Sequence, residues 1–200
     1  MARKARGHEL KVCATAFKNT HSNMSAPRPI PNSYWATPLL LACEYPGALT
    51  DAAAIPKLDA LLTAGIRDFY DLTEPGELRP YEALLRERAA HFGLGPEEVR
   101  YHRFPVRDLD VPTAERLTEV LNALAASTAA GRPAAVHCWG GIGRTGTIVG
   151  CHLQHAHGLS GEEALARIAH EWQTVAKVHR APISPETPAQ FALVRNYRAG

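Results

Sequence analysis

The stretch from Pro133 to Thr147 constrains this chain more than any other. A short apolar run, Pro133-Ala134-Ala135-Val136-His137, is followed by Cys138 and then by Trp139-Gly140-Gly141-Ile142-Gly143, where three of five residues are glycine. From Arg144-Thr145-Gly146-Thr147 a helical pattern continues to about His157. A strand that turns through glycines directly into a helix is the building unit of α/β domains. In such domains ligands bind beyond the carboxyl ends of the strands, and this glycine turn lies at such an end.

The rest of the chain repeats the alternation. Leu39-Leu40-Leu41-Ala42-Cys43, closed by Glu44-Tyr45-Pro46-Gly47, reads as a buried strand ending in a turn. Asp51 is placed to cap a helix to about Ala64 with Ile55, Leu58, Leu61 and Leu62 on one face, and Gly65 stops it. Strands follow at Ile66 to Leu72 and Val99 to Phe104, with an amphipathic helix over 81–92 between them. Thr113 caps a helix through Leu117, Val120, Leu121 and Leu124 that ends near Gly131. Ser160 and Glu163 form a capping-box pattern for a helix to about Trp172, and Pro188 to Tyr197 reads as the last helix. The expected fold is a single α/β domain with a mainly parallel central sheet and helices on both faces.

Residues 1–33 read as a tail, polar and proline-bearing at Ala26-Pro27-Arg28-Pro29-Ile30-Pro31-Asn32, with the domain over 34–200. Met24 offers a second start within that tail. The net charge is only +2, so no global field draws the chain to nucleic acid or membrane, and a local site must capture the ligand. No apolar run has the length of a membrane-spanning helix, and the basic start is not followed by a secretory-type apolar segment. A cytoplasmic monomer without nucleic-acid or membrane partners is the expectation. The four cysteines, Cys13, Cys43, Cys138 and Cys151, form neither a CxxC pair nor a zinc-type set, and in a reducing compartment they are thiols.

Three features of the turn converge on one chemistry. A cysteine at a helix N-terminus has its thiolate favoured by the dipole and by backbone N–H groups. Closely spaced glycines let the backbone fold its N–H groups inward as an anion nest, here from Trp139 through Gly140, Gly141 and Ile142 to Gly143. Arg144 returns a planar fork of donors matched to two phosphate oxygens. A nucleophile under a cradle for a tetrahedral dianion is the result. His137 reads as a hydrogen-bonding brace for the loop, and Trp139 as a packed loop residue rather than a stacking platform. Cys151, His152, His155 and His157 read as the end of a helix rather than a metal site.

His-Cys-x5-Arg-Thr at 137–145 resembles the signature loop of the protein tyrosine and dual-specificity phosphatases. Leu40 to Gly47, Leu72-Thr73-Glu74, Phe104-Pro105-Val106-Arg107-Asp108 and Ser184-Pro185-Glu186-Thr187 resemble the compact dual-specificity-like group of bacterial and plant members. The likeness runs over roughly 34–198, with Cys43 standing where that group has glycine. It implies a ping-pong phosphomonoester hydrolase in which Cys138 attacks phosphorus and forms a cysteinyl-phosphate. It also implies an aspartate acid, later the base for water, on a loop about 30 residues before the cysteine. Asp108 sits 30 positions before Cys138, with Asp110 as the alternative two positions on.

The same likeness implies a Thr145 Oγ hydrogen bond to the sulfur. Gln190 would pack behind the loop or, as a glutamine does in some relatives, orient water. Guanidinium and amides already supply positive charge, so no metal or other cofactor is expected. Cys43 and Cys151 are candidates to trap an oxidised Cys138 as a disulfide. The expected substrate is a phosphorylated protein, with phosphotyrosine first and phosphoserine or phosphothreonine tolerated. A small metabolite, nucleotide or lipid phosphate, or another thiolate–oxyanion reaction such as arsenate reduction, is the alternative. The loop interior has no lysine or second arginine, which argues against highly charged inositol phosphates.

Overall fold

The computed structural model describes residues 27–198. Most of the expected tail, including Met24 and Cys13, therefore lies outside the described residues. The domain begins ahead of residue 34, because Ile30 and Ser33 are already buried and the Ser33 hydroxyl donates to the Ile30 carbonyl.

Five strands form one sheet: β1 (Ser33–Thr37), β2 (Leu40–Cys43), β3 (Asp68–Asp71), β4 (Arg100–Arg103) and β5 (Ala134–His137). Their spatial order is β1-β2-β5-β3-β4. All neighbours are parallel except β1, which pairs antiparallel with β2. The sequence reading missed β1, an edge strand of five residues whose pairing is interrupted between Trp35 and Thr37. β5 is central, paired with β2 on one side and β3 on the other.

The helices are α1 (Asp51–Thr63), α2 (Glu82–His91), α3 (Ala114–Ala129), α4 (Gly143–His157), α5 (Gly161–Trp172) and α6 (Pro188–Asn196). A 3₁₀ turn at Ala176–His179 was not foreseen. Thr50, not Asp51, caps α1: its extended backbone lets Oγ1 accept from Ala53 N–H, and Asp51 becomes the first-turn acid that favours the helix dipole. Thr113 and Ser160 cap α3 and α5 as expected, the latter through a reciprocal box with Glu163.

Alternating side chains divide the core into two layers. Leu41, Cys43, Phe69 and Ala135 pack with Leu58, Leu61 and Leu85 of α1 and α2 on one face. Leu40, Ala42, Tyr70 and Val136 pack with Leu121 and Leu124 of α3, Ile148 of α4, Ile168 of α5 and Val194 of α6 on the other. Each fully buried leucine contributes roughly 2 kcal/mol of apolar transfer, enough to clamp the short strands between the helices. Two buried polar groups of β3 are paired: Asp68 receives Arg132 and Ser127, and the Tyr70 hydroxyl donates to the Ala123 carbonyl. The consequence for function is positional. β5 ends at His137 in the middle of the sheet, and α4 begins six residues later at Gly143.

Candidate active site

The turn joining β5 to α4 is held from outside by its carbonyls. Trp139 C=O accepts from Tyr45 N–H at 3.0 Å, Gly140 C=O from Lys177 Nζ at 2.8 Å, and Ile142 C=O from Ser184 Oγ at 2.9 Å. With those carbonyls turned outward, no backbone N–H from Trp139 to Arg144 donates to a protein group among the described residues. Gly141 makes this path possible. Its φ is +74°, and a Cβ there would lie 2.5 Å from the Cys43 carbonyl oxygen.

Cys138, only 4% exposed, lies at the floor of a cavity of about 170 Å³. Asp108, Leu109, Trp139, Arg144 and Glu186 are among the residues around it. Arg144 leaves the first turn of α4 fully enclosed and is fixed by two carboxylates and a carbonyl. Nη1 and Nη2 donate to Glu77 Oε2 and Oε1 at 2.8 and 2.7 Å, Nη1 also to Val106 C=O at 3.0 Å, and Nη2 lies 2.8 Å from Asp108 Oδ1. Burial opposes the charge, yet Glu77 and the other nearby anions hold the guanidinium above its ordinary value. Reciprocally, the hydrogen bonds from Arg144 hold the Glu77 carboxyl below its ordinary value. Arg144 Nε is buried without a partner among the described residues, a donor left for the pocket.

Sequence reasoning missed Glu77. It stands in an exposed turn, Glu74-Pro75-Gly76-Glu77, and nothing local links it to an arginine 67 residues away. Lys177 was missed too. It comes from the 3₁₀ turn and bridges Gly140 to Glu44, with Nζ 3.0 Å from Oε2. The loop therefore does carry a neighbouring lysine, one whose charge is paired.

His137 is fully buried, with Nε2 2.7 Å from the Tyr81 hydroxyl and Nδ1 3.4 Å from the Cys138 carbonyl. Burial depresses its pKa, so the imidazole is neutral. The tautomer protonated at Nδ1 lets Tyr81 donate to Nε2 and the ring donate to the carbonyl, which ties the backbone of Cys138 to the core.

Of the two candidate acids, Asp108 lines the cavity and touches Arg144, whereas Asp110 is exposed and Oδ1 accepts from Val111 N–H at 2.8 Å. Between them Leu109 adopts φ +61°, a left-handed conformation for a non-glycine residue, and is more than half exposed. Gln190 is fully buried behind the loop, where a Cβ on Gly143 would meet its amide oxygen at 2.7 Å.

Two expectations are corrected. Trp139 is not packed: it is 62% exposed and forms a wall of the cavity, because a loop of glycines offers an indole nothing to pack against. Thr145 Oγ1 does not bond the sulfur. The first turn of α4 encloses the residue completely, and Oγ1 has no hydrogen-bond partner among the described residues.

Cys43 and Cys151 are free and buried, and burial pushes the Cys151 thiol up to about 12. Cys43 packs on the sheet face opposite Cys138. Among the described residues no group of three or more His, Cys, Asp or Glu is arranged to hold a metal ion, and no helix is long and apolar enough to cross a membrane.

The family model described as Swiss Army Knife protein, DSP-PTPase phosphatase domain, matches residues 32–195. The chain belongs to the DSP-PTPase family. Among curated DSP-PTPase relatives, the mouse protein tyrosine phosphatase domain-containing protein 1 is 25% identical over 171 residues, covering 82% of this chain and 21% of the mouse protein. The tyrosine-protein phosphatase CDC14 of Candida albicans is 38% identical over 55 residues, 28% of this chain and 10% of that protein. The chain thus spans about a fifth or less of the relatives it matches. Two solved structures share the DSP-PTPase fold. The active form of Tk-PTP superposes with a TM-score of 0.63 at 24% identity, covering 82% of this chain and 95% of that one. PTPMT1 in complex with PI(5)P gives 0.59 at 18% identity, covering 82% and 92%.

Proposed function

We propose that the protein hydrolyses phosphate monoesters through a cysteinyl-phosphate on Cys138, with phosphotyrosine in proteins as its first substrate and phosphoserine or phosphothreonine tolerated. One observation carries this reading: Cys138 and a clamped Arg144 share one small cavity under a loop whose amides donate to no protein group among the described residues. Those amides and the spare Arg144 Nε–H match the equatorial oxygens of a phosphoryl group. Phosphate bound there takes Nη2 from Asp108 and leaves that carboxyl at the rim, beside the departing oxygen.

In the first step the Cys138 thiolate forms the S–P bond as the ester P–O bond breaks, and Asp108 gives its proton to the leaving oxygen. In the second, water displaces the sulfur and returns a proton to Asp108. Trp139 and Leu109, both largely exposed at the mouth, supply apolar walls suited to an aromatic leaving group.

A second reading has its own observation. A cleft of about 530 Å³ adjoins the cavity across Trp139 and Gly140, and Lys57, Arg79 and Lys177 line it. Glu44 lines it too and pairs with both lysines, and Asp51 pairs with Arg79, so a substrate with another acidic group, a phosphorylated lipid included, would meet three cations set against two carboxylates. The deciding experiment measures phosphate release from phosphotyrosine and phosphoserine peptides, phosphoinositides and sugar and nucleotide monophosphates, with Cys138→Ser as control. Fastest turnover of phosphotyrosine peptides supports the first reading, and fastest turnover of the lipids supports the second. Thiol-coupled arsenate reduction without phosphate release from any ester overturns both.

A further inference from the structure

Leu49 is the most exposed large apolar side chain among the described residues, at 92%. It precedes Thr50, the cap of α1, a position from which an apolar residue often packs back on the fourth residue of the helix. That residue is Ala54, already buried, and a leucine so exposed packs on none of its own helix. The backbone of Leu49 is nonetheless fixed, because its carbonyl accepts from Arg79 Nη1 at 3.1 Å. Leu49, Ala48, Leu78 and Trp139 are the apolar lining of the cleft of about 530 Å³, and Trp139 and Gly140 border both that cleft and the cavity of Cys138.

The cations of the cleft are committed to building it. Lys57 Nζ donates to the Tyr45 and Gly47 carbonyls at 2.8 and 3.2 Å, with Glu44 Oε1 3.8 Å away. Lys177 Nζ lies between Glu44 Oε2 and the Gly140 carbonyl, at 3.0 and 2.8 Å. Arg79 joins Leu49 to Asp51, with Nη2 2.8 Å from Oδ1. These bonds stitch the turn after β2 to α1 and to the phosphate loop. A phosphorylated lipid brings a further phosphate close to the one removed and would need an uncommitted cation there. What the cleft leaves for a ligand is the leucines and the indole.

We propose that this cleft is a specificity subsite of the active site, which takes a bulky apolar side chain close in sequence to the phosphorylated residue of a protein substrate. This rests on the phosphotyrosine-protein reading and deepens it. The phosphoryl group enters the cavity, the chain crosses Trp139 and Gly140, and the neighbouring side chain removes Leu49 and Leu78 from water. An isobutyl or benzyl group fits the volume. An acidic side chain would meet carboxylates as well as cations, and a lysine would meet three cations.

The test is kcat/KM on phosphotyrosine peptides of one sequence, with Leu, Phe, Ala, Asp or Lys set in turn at each position flanking the phosphotyrosine. At one position Leu and Phe should exceed Ala by roughly 10-fold, the effect of burying about half of such a side chain. Asp and Lys there should do no better than Ala. Leu49→Ala should shrink the preference by about 3-fold, and Leu49→Asp should remove most of it. Both variants should turn over p-nitrophenyl phosphate and the Ala peptide as the wild type does, which also counts folded enzyme.

A panel that is flat for the wild type, or highest with Asp, overturns the subsite while p-nitrophenyl phosphate hydrolysis leaves the phosphatase reading standing. A preference that survives both Leu49 variants places the contact elsewhere and overturns it too. So does an equal loss on every substrate, which makes Leu49 a structural residue, and so does faster turnover of phosphoinositide vesicles than of the best peptide, which gives the cleft to a lipid. If the wild type releases phosphate from no ester, the phosphatase reading fails and the subsite fails with it.

Discussion

Arg144 and Glu77 meet through two parallel hydrogen bonds of 2.8 and 2.7 Å, formed between the first turn of α4 and a turn ahead of α2. This pairing sets the plane of the guanidinium, and with it the direction of the donors left for phosphate. Glu77→Gln should keep the fold but lower kcat/KM by up to roughly 10²- to 10³-fold, the cost of losing one aligned donor at a developing charge. The Glu77 carboxyl titrates below its ordinary value in the folded protein, so its stabilising contribution is complete above about pH 4.3 and is lost as pH falls through the lower folded value. Acid unfolding followed by circular dichroism should therefore be steeper for the wild type than for Glu77→Gln. Identical acid transitions would show that the pair does not hold in solution.

Asp108 and Asp110 are two residues apart yet make different contacts, one with Arg144 and the other with its own following amide. Asp108→Asn should cut kcat on an alkyl phosphate by about 10²- to 10⁴-fold, the range of general acid catalysis. The cut should be much smaller on p-nitrophenyl phosphate, whose leaving group needs little protonation. Asp110→Asn should leave both within a few-fold of wild type. The reverse pattern would move the acid to Asp110.

Trp139 contributes little to the core and much to the cavity wall, so its two roles separate cleanly. Trp139→Ala should leave the thermal midpoint nearly unchanged. It should lower kcat/KM for aryl phosphates by several-fold, in line with about 0.5–1.5 kcal/mol for an aromatic contact, and leave alkyl phosphates nearly untouched. Equal losses on both substrate types would assign the indole to loop structure instead.

These contrasts mark what the sequence could and could not reveal. Cys138, the three loop glycines and Arg144 lie within seven consecutive residues, and the strand and helix that hold them carry local signals, so their meeting around one cavity was legible. The capping box at Ser160 is local as well. Glu77, Lys177 and Ser184 are brought to the loop by tertiary packing alone, from 67, 37 and 42 residues away. Trp139 was misread because an apolar side chain in an α/β domain usually finds a core, and a glycine turn beyond the carboxyl end of a strand offers none. β1 escaped notice because a short edge strand beginning just after Pro31-Asn32 lacks the length for a clear alternation.

His152 supplies the last prediction, one of stability rather than catalysis. It is fully buried in α4, neither ring nitrogen has a hydrogen-bond partner among the described residues, and His157 lies edge-on with ring centroids 5.9 Å apart. Burial, reinforced by the charges of His157 and His155, pushes its pKa down to about 4. The folded state thus resists a proton that the unfolded chain accepts near pH 6.5, so stability is complete above that pH and declines as pH falls toward about 4. From this one residue the loss is about 2 kcal/mol at pH 5 and about 3 kcal/mol at the bottom of the window. His152→Leu replaces the ring with an apolar side chain and abolishes that proton uptake. Urea unfolding should then find the variant gaining stability over the wild type by about 2 kcal/mol more at pH 5 than at pH 7.5. A constant difference across that range would mean that His152 finds a polar partner in solution and keeps an ordinary pKa.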